Sequence, residues 1–266
     1  MNLESLNPQQ LEAVQHPKGP LLVVAGAGSG KTRVITSRIA NLIQLGMNPD
    51  SILAITFTNK AAGEMKQRVF NMLSSDRLSS PWISTFHSFC LRLLRKHINE
   101  LDYSREFIIY DASDQLSLIK QCMKSINIET EAFPPKTLLN HISGFKNDFI
   151  FPADIDPDNL PFGAKMKAAE VYPLYQHSLK TSNALDFDDL LIMTVRLLKE
   201  SKPVLERYSN QFQQILVDEF QDTNATQYEL VCLLASKHNN VCVVGDDDQS
   251  IYRWRGANIE NILNFE

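Results

Sequence analysis

The chain has 266 residues, 44% hydrophobic and 21% charged, which suits an ordinary soluble globular protein with one large domain or two smaller ones. No apolar run approaches the ~20 residues of a membrane helix, and "MNLESLNPQQ" lacks the basic start and apolar core of a signal peptide, so a cytoplasmic protein is expected. The net charge of −5 argues mildly against nucleic acid, but residues 31–96 carry ten Lys/Arg against three Asp/Glu, so the overall sign does not exclude a polyanionic partner.

In chain order, the short apolar runs "LLVVA" (21–25), "ILAITF" (52–57), "WIST" (82–85), "QILVD" (214–218) and "VCVVG" (241–245) read as buried strands. Helical patterns lie between most of them, at 31–45, 60–73, 86–98 and 224–236. Continuous apolar strands alternating with helices predict an α/β fold with a parallel sheet covered on both faces. The stretch 111–184 breaks this rhythm. "DASDQLSLIKQCMKSI", capped by Asp111 or Ser113, "FPPKTLLNHISGFKN" and "KMKAAEVYPLYQHSLK" read as helices of a mostly helical insertion. The expected division is therefore 1–110 with 185–266, and 111–184 inserted between them. Cys90, Cys122, Cys232 and Cys242 form no CxxC pair and lie in apolar surroundings, so they read as buried reduced thiols.

"AGAGSGKT" (25–32) follows a predicted strand and opens a predicted helix, the context a phosphate-binding loop requires. Its glycines let successive backbone N–H groups turn inward around phosphate oxygens at a positively polarised helix start. Ala25, Gly26, Ala27, Gly28, Ser29 and Gly30 would form the cradle, Lys31 would reach the β- and γ-phosphates of ATP, and the Thr32 hydroxyl would ligate Mg²⁺. Ala25 stands where the usual pattern has its first glycine. "ILVDEF" (215–220) ends an apolar strand in two carboxylates at the edge where open α/β sheets bind ligands. Asp218 would hold the metal through its hydration shell and Glu219 would act as general base on the attacking water. "GDDDQSIYRWRGA" (245–257) joins a carboxylate cluster to aromatics alternating with arginines, a composition suited to base stacking.

Together these segments resemble the UvrD/Rep/PcrA-type superfamily 1 DNA helicases. "LNPQQLEAV" (6–14) looks like the family's Q motif, "AGAGSGKTR" its motif I, "AITFTNKAAGEMKQRV" (54–69) motif Ia and "STFHSFCLRLLR" (84–95) motif Ib. "ALDFDDLL" (184–191), "ILVDEFQDTN" (215–224) and "VVGDDDQSIYRWRGA" follow in the family's order. The resemblance implies a RecA-like motor domain with an inserted helical subdomain, ATP and Mg²⁺ as cofactors, and unwinding in the 3′→5′ direction. It further implies that Gln10 hydrogen-bonds adenine, Arg33 lies against its face, and Gln249 contacts the γ-phosphate and senses hydrolysis. Phe57, Thr58, Asn59, Phe86 and His87 would line a single-strand path, and Tyr252 and Trp254 would stack on bases. Single-stranded DNA and single/double-strand junctions are the implied partners, with DNA repair or replication proteins beside them.

Blander readings stand beside several of these. Phe57 and Phe86 also suit a core, His87 a helix start, and Asp186 an N-cap with Asp189 three residues on. Lys146 reads as a solvated lysine, with a phosphate contact as the alternative. The sequence stops just after the segment resembling motif III, so the second motor domain, with its arginine fingers, is expected elsewhere in a longer helicase. Three readings compete: the motor of a RecB/AddA-type helicase-nuclease, a P-loop small-molecule kinase, and a nucleotide-gated DNA-binding or docking module without turnover.

Overall fold

The structure is a computed structural model that describes residues 3–26, 28–73 and 79–246. Its first helices and strands run α1 (Pro8–Gln15), β1 (Leu21–Val24), α2 (Lys31–Gln44), β2 (Ile52–Thr56), α3 (Asn59–Met72), β3 (Trp82–Thr85) and α4 (Phe86–His97). Next come β4 (Ile108–Ile109), α5 (Ala112–Ser125), α6 (Pro135–Asn147), α7 (Ala164–Thr181), β5 (Ala184–Leu185) and α8 (Asp189–Glu200). The last described are α9 (Lys202–Gln211), β6 (Gln214–Val217), α10 (Ala225–Ala235) and β7 (Val241–Gly245).

By contacts the chain forms two compact units. The first takes the described residues of Met1–Phe89, Ser201–Thr223 and Gln227–Glu266; the second takes Cys90–Glu200 and Asn224–Thr226. These borders differ from those expected near residues 110 and 185. The helices flanking the insertion fold with it: Arg95 of α4 donates to the carbonyls of Arg105 and Phe107 at 2.8 and 2.6 Å, and the Cys90 thiol bonds to Thr194 of α8.

The first unit is a five-stranded, wholly parallel sheet in the order β1-β7-β6-β2-β3. Strands β2, β6 and β7 are buried along their whole length, which is why they read as unbroken apolar runs rather than alternating ones. Ile35, Ile39 and Ile43 of α2 and Met65 and Val69 of α3 form one core with Ile52, Ala54, Leu216, Cys242 and Val244 of the strands. Side chains four apart in a helix share one face, so α2 can pack its isoleucine stripe on the sheet while presenting its N-terminus at the sheet's edge. Register then fixes the site. Val24 pairs with Gly245 and Val217 with Val243, so the ends of β1, β7 and β6 open side by side.

The second unit is mostly helical, with a core from α5, α6 and α7 that includes Ile119, Met123, Leu138, Ile142, Tyr172 and Tyr175. Asp111 caps α5, accepting from the N–H groups of Ser113 and Asp114. A two-residue parallel ladder, Ile108–Ile109 against Ala184–Leu185, escapes sequence reading because two residues carry no period. The short Asn224–Thr226 segment belongs here because it satisfies the end of α6. The Thr226 hydroxyl donates to the Lys146 carbonyl at 2.7 Å, and the Asn224 amide donates to Asn147 Oδ1 at 2.7 Å.

Candidate functional site

The loop after β1 turns through Gly28 (φ 73°) and Gly30 (φ 89°), left-handed positions where a side chain costs energy and glycine does not. Gly30 is the N-cap of α2, and among the described residues no side-chain hydrogen bond caps that helix start. The first-turn N–H groups, which an α-helix leaves without intrahelical partners, and the helix dipole make an anion cradle. Ser29 N–H donates to the Gly26 carbonyl at 3.3 Å, while Ala27 lies outside the described residues. Ala25 donates its N–H to the Gly245 carbonyl at 3.0 Å. It therefore closes the β1–β7 ladder, a role that asks nothing of its side chain.

Two carboxylates meet this loop from neighbouring strands. Asp218, 3% exposed at the end of β6, accepts a hydrogen bond from the Thr32 hydroxyl at 3.3 Å. Burial, and then the adjacent Glu219, push its carboxyl up to about 6. Asp246, the first residue after β7, holds Lys31 in a buried ion pair at 3.0 Å, with the two side chains 9% and 1% exposed. Lys31, read from the sequence as a phosphate ligand, thus rests on Asp246 in this structure.

Glu219 stands in a left-handed conformation (φ 53°), strained for a residue with a side chain. Its carboxylate accepts from Gln221 Nε2 at 2.8 Å, and Gln221 Oε1 accepts from the Asp246 N–H at 3.0 Å. Sequence reasoning missed both Gln221 and Asp246. A signal existed for Asp246, which follows a buried strand at the same sheet edge as Asp218. For Gln221 the sequence shows only a glutamine in a short turn.

Gln10 lies in the first turn of α1, where its Oε1 accepts from the Asn7 N–H at 3.1 Å and its Nε2 donates to the Ser29 carbonyl at 2.8 Å. Among the described residues each of these bonds uses one valence of its atom, leaving a lone pair on Oε1 and an N–H on Nε2. Arg33 donates to the Ser5 hydroxyl at 2.6 Å. Arg38, fully buried in α2, donates to the Ala13 and His16 carbonyls at 2.9 and 2.8 Å and so fastens the end of α1 to the phosphate-loop helix.

Of the residues expected to line a strand path, Phe57 is half-buried just after β2, and Thr58 and Asn59 are exposed. Thr58 caps α3, its hydroxyl accepting from the Ala61 N–H at 3.1 Å. Phe86 is 1% exposed and packs edge-on against Phe57 with ring centroids 5.6 Å apart. Phe86 therefore underlies Phe57 instead of offering a surface of its own. His87 is half-buried in the first turn of α4. Gln249, Tyr252 and Trp254 lie outside the described residues.

In the helical unit, one sequence expectation changes. Lys146 is neither solvated nor a phosphate contact: it is 1% exposed and pairs with Asp186 at 2.6 Å and Asp189 at 2.8 Å. Burial disfavours its charge, but the two carboxylates outweigh that and hold the amine well above its usual range. The same aspartates cap α8 reciprocally, Asp189 N–H to Asp186 Oδ1 at 2.8 Å and Asp186 N–H to Asp189 Oδ2 at 3.1 Å, as read from the sequence. Of the cysteines, Cys90, Cys122 and Cys242 are buried free thiols, but Cys232 is exposed.

A parallel sheet with a left-handed glycine loop, and with Lys31, Thr32 and Asp218 gathered at its carboxyl edge, defines a RecA-like P-loop domain. The family model of the UvrD/REP helicase N-terminal domain matches residues 6–266, and the chain belongs to that family. It is 51% identical over 265 residues to the ATP-dependent DNA helicase PcrA of Staphylococcus aureus, which covers 99% of this chain and 36% of that protein. It is 50% identical, with the same coverage, to PcrA of Staphylococcus epidermidis. The chain thus spans about a third of the length of these relatives. Among the described residues no helix is long and apolar enough to cross a membrane.

Proposed function

We propose that this chain is the ATP- and single-strand-DNA-binding part of a 3′→5′ DNA helicase. The observation that carries the reading is the meeting of Lys31, Thr32 and Asp218 at a glycine loop that opens a helix N-terminus. ATP phosphates would seat on those N–H groups and take Lys31 from Asp246. The Thr32 hydroxyl and Asp218 carboxylate are hard oxygen donors 3.3 Å apart, a set that fits Mg²⁺ and would hold it, Asp218 through the ion's hydration shell. When bound, Mg²⁺ would supply positive charge that offsets the negative charge of the phosphate oxygens. Glu219 would accept the proton of the attacking water, and the remaining valences of Gln10 would pair with the adenine edge. Arg33 would lie against its face, and Gln249 would contact the γ-phosphate.

Phe57, with Phe86 beneath it, Thr58, Asn59 and His87 would meet single-stranded DNA, joined by Tyr252 and Trp254. Base stacking on aromatics tolerates any sequence, as a translocating enzyme requires. Single/double-strand junctions, the second motor domain of the same protein, and repair or replication proteins are the proposed partners. By itself the chain binds nucleotide weakly, turns it over slowly and does not unwind, because an arginine finger supplied from outside contributes about 10³–10⁵ in rate in related enzymes. The test is Glu219→Gln in the full-length protein. Loss of DNA-stimulated ATP hydrolysis and unwinding with ATP binding retained supports the reading, and undiminished unwinding refutes it.

A further inference from the structure

We propose that Gln221 is a positioning residue for hydrolysis: one buried amide holds the Glu219 carboxylate through Nε2 and the backbone N–H of Asp246 through Oε1. The inference rests on the reading of Glu219 as general base and goes beyond it by naming what aims that base.

Four groups stand in series. Lys31 Nζ meets Asp246 Oδ2 at 3.0 Å, the Asp246 N–H meets Gln221 Oε1 at 3.0 Å, and Gln221 Nε2 meets Glu219 Oε2 at 2.8 Å. Lys31, Asp246 and Gln221 are each less than a tenth exposed, so the first two bonds are shielded from water, while the third reaches out to the half-buried Glu219. The arrangement needs an amide. A carboxylate could accept from the Asp246 N–H but would have no proton for Glu219, and an apolar side chain could do neither. Asparagine, shorter by one methylene, would not span both partners.

Glu219 has particular need of such a hold. Its backbone is left-handed, and its own N–H is turned to Asp218 Oδ1 at 3.1 Å, so the peptide is fixed by the metal-side carboxylate while the side chain is fixed by Gln221. The other end of the series is the residue that ATP must disturb. When phosphates draw Lys31 away, Asp246 loses its buried cation, and any adjustment of its backbone reaches Glu219 through a single amide. Gln221 thereby ties the aim of the base to the occupancy of the phosphate site.

The experiment compares Gln221→Met and Gln221→Glu with Glu219→Gln in the full-length protein, with single-stranded DNA present. Methionine fills the volume without either hydrogen bond, and glutamate keeps the acceptor while losing the donor. Both should lower kcat for ATP by roughly 10- to 100-fold, the weight of a hydrogen bond to a charged group. KM and the dissociation constant of a fluorescent ATP analogue should change less than twofold, and the melting temperature should hold within a few degrees. Unchanged kcat in either variant overturns the proposal, as does a parallel loss of kcat, affinity and melting temperature, which would mark a merely structural glutamine. If Glu219→Gln itself leaves turnover intact, the base assignment has failed, an outcome distinct from the failure of Gln221 alone.

Discussion

Asp218 reaches its site at the expense of its own charge. Buried at the end of β6 and next to Glu219, its carboxyl is pushed up to about 6, against about 3.9 for an unperturbed aspartate. An acid whose folded value is raised contributes stability that is complete below the unfolded value and lost as pH rises through the folded one. In metal-free buffer, therefore, Asp218→Asn should raise the melting temperature at pH 8 and have little effect at pH 4. Equal shifts at both pH values, or a loss at pH 8, would contradict this. Mg²⁺ should reverse the order at pH 8, since the charged carboxylate attracts the cation far more strongly than a neutral amide does.

At the scale of elements, the junction between β1 and α2 concentrates the chemistry. Gly30 must be left-handed to start α2 while turning its N–H groups outward, and a Cβ there would stand 3.0 Å from Gln10 Nε2. Gly30→Ala should therefore cost about 1–2 kcal/mol of stability. It should also weaken nucleotide binding, because relief requires moving either the loop or the amide proposed to read adenine. Calorimetric melting with an ATP titration measures both. The pattern of this element was legible in the sequence because its cause is local: glycine spacing, an apolar strand before and a helical period after. The pairing of Lys31 with Asp246 was not, since 215 residues separate the partners and only the β1–β7 register brings them together.

For the whole molecule, the two compact units have separate cores and are held differently. The sheet unit rests on continuous apolar strands, whereas the helical unit encloses Lys146 between Asp186 and Asp189, with the Tyr175 hydroxyl donating to Asp186 at 3.1 Å. A buried pair adds little against an apolar core, but removing one member leaves uncompensated charge. Lys146→Met should thus destabilise the helical unit by roughly 3–5 kcal/mol. Hydrogen exchange should show the loss in α6, α7 and α8, with β2, β6 and β7 retaining their protection, as expected of distinct cooperative units. Uniform loss across both units would refute that separation.

The sequence by itself determined the five strands of the large sheet, most of the helices, the glycine loop and the Asp218–Glu219 pair, because each follows from period or spacing within a few residues. Tertiary structure decided where charges rest and which aromatics are covered. It turned Lys146 from a surface lysine into a buried cation, placed Phe86 beneath Phe57, and joined Glu219, Gln221, Asp246 and Lys31 in one series. Those outcomes depend on strand order and on desolvation by distant segments. Neither is written in the neighbourhood of the residues concerned.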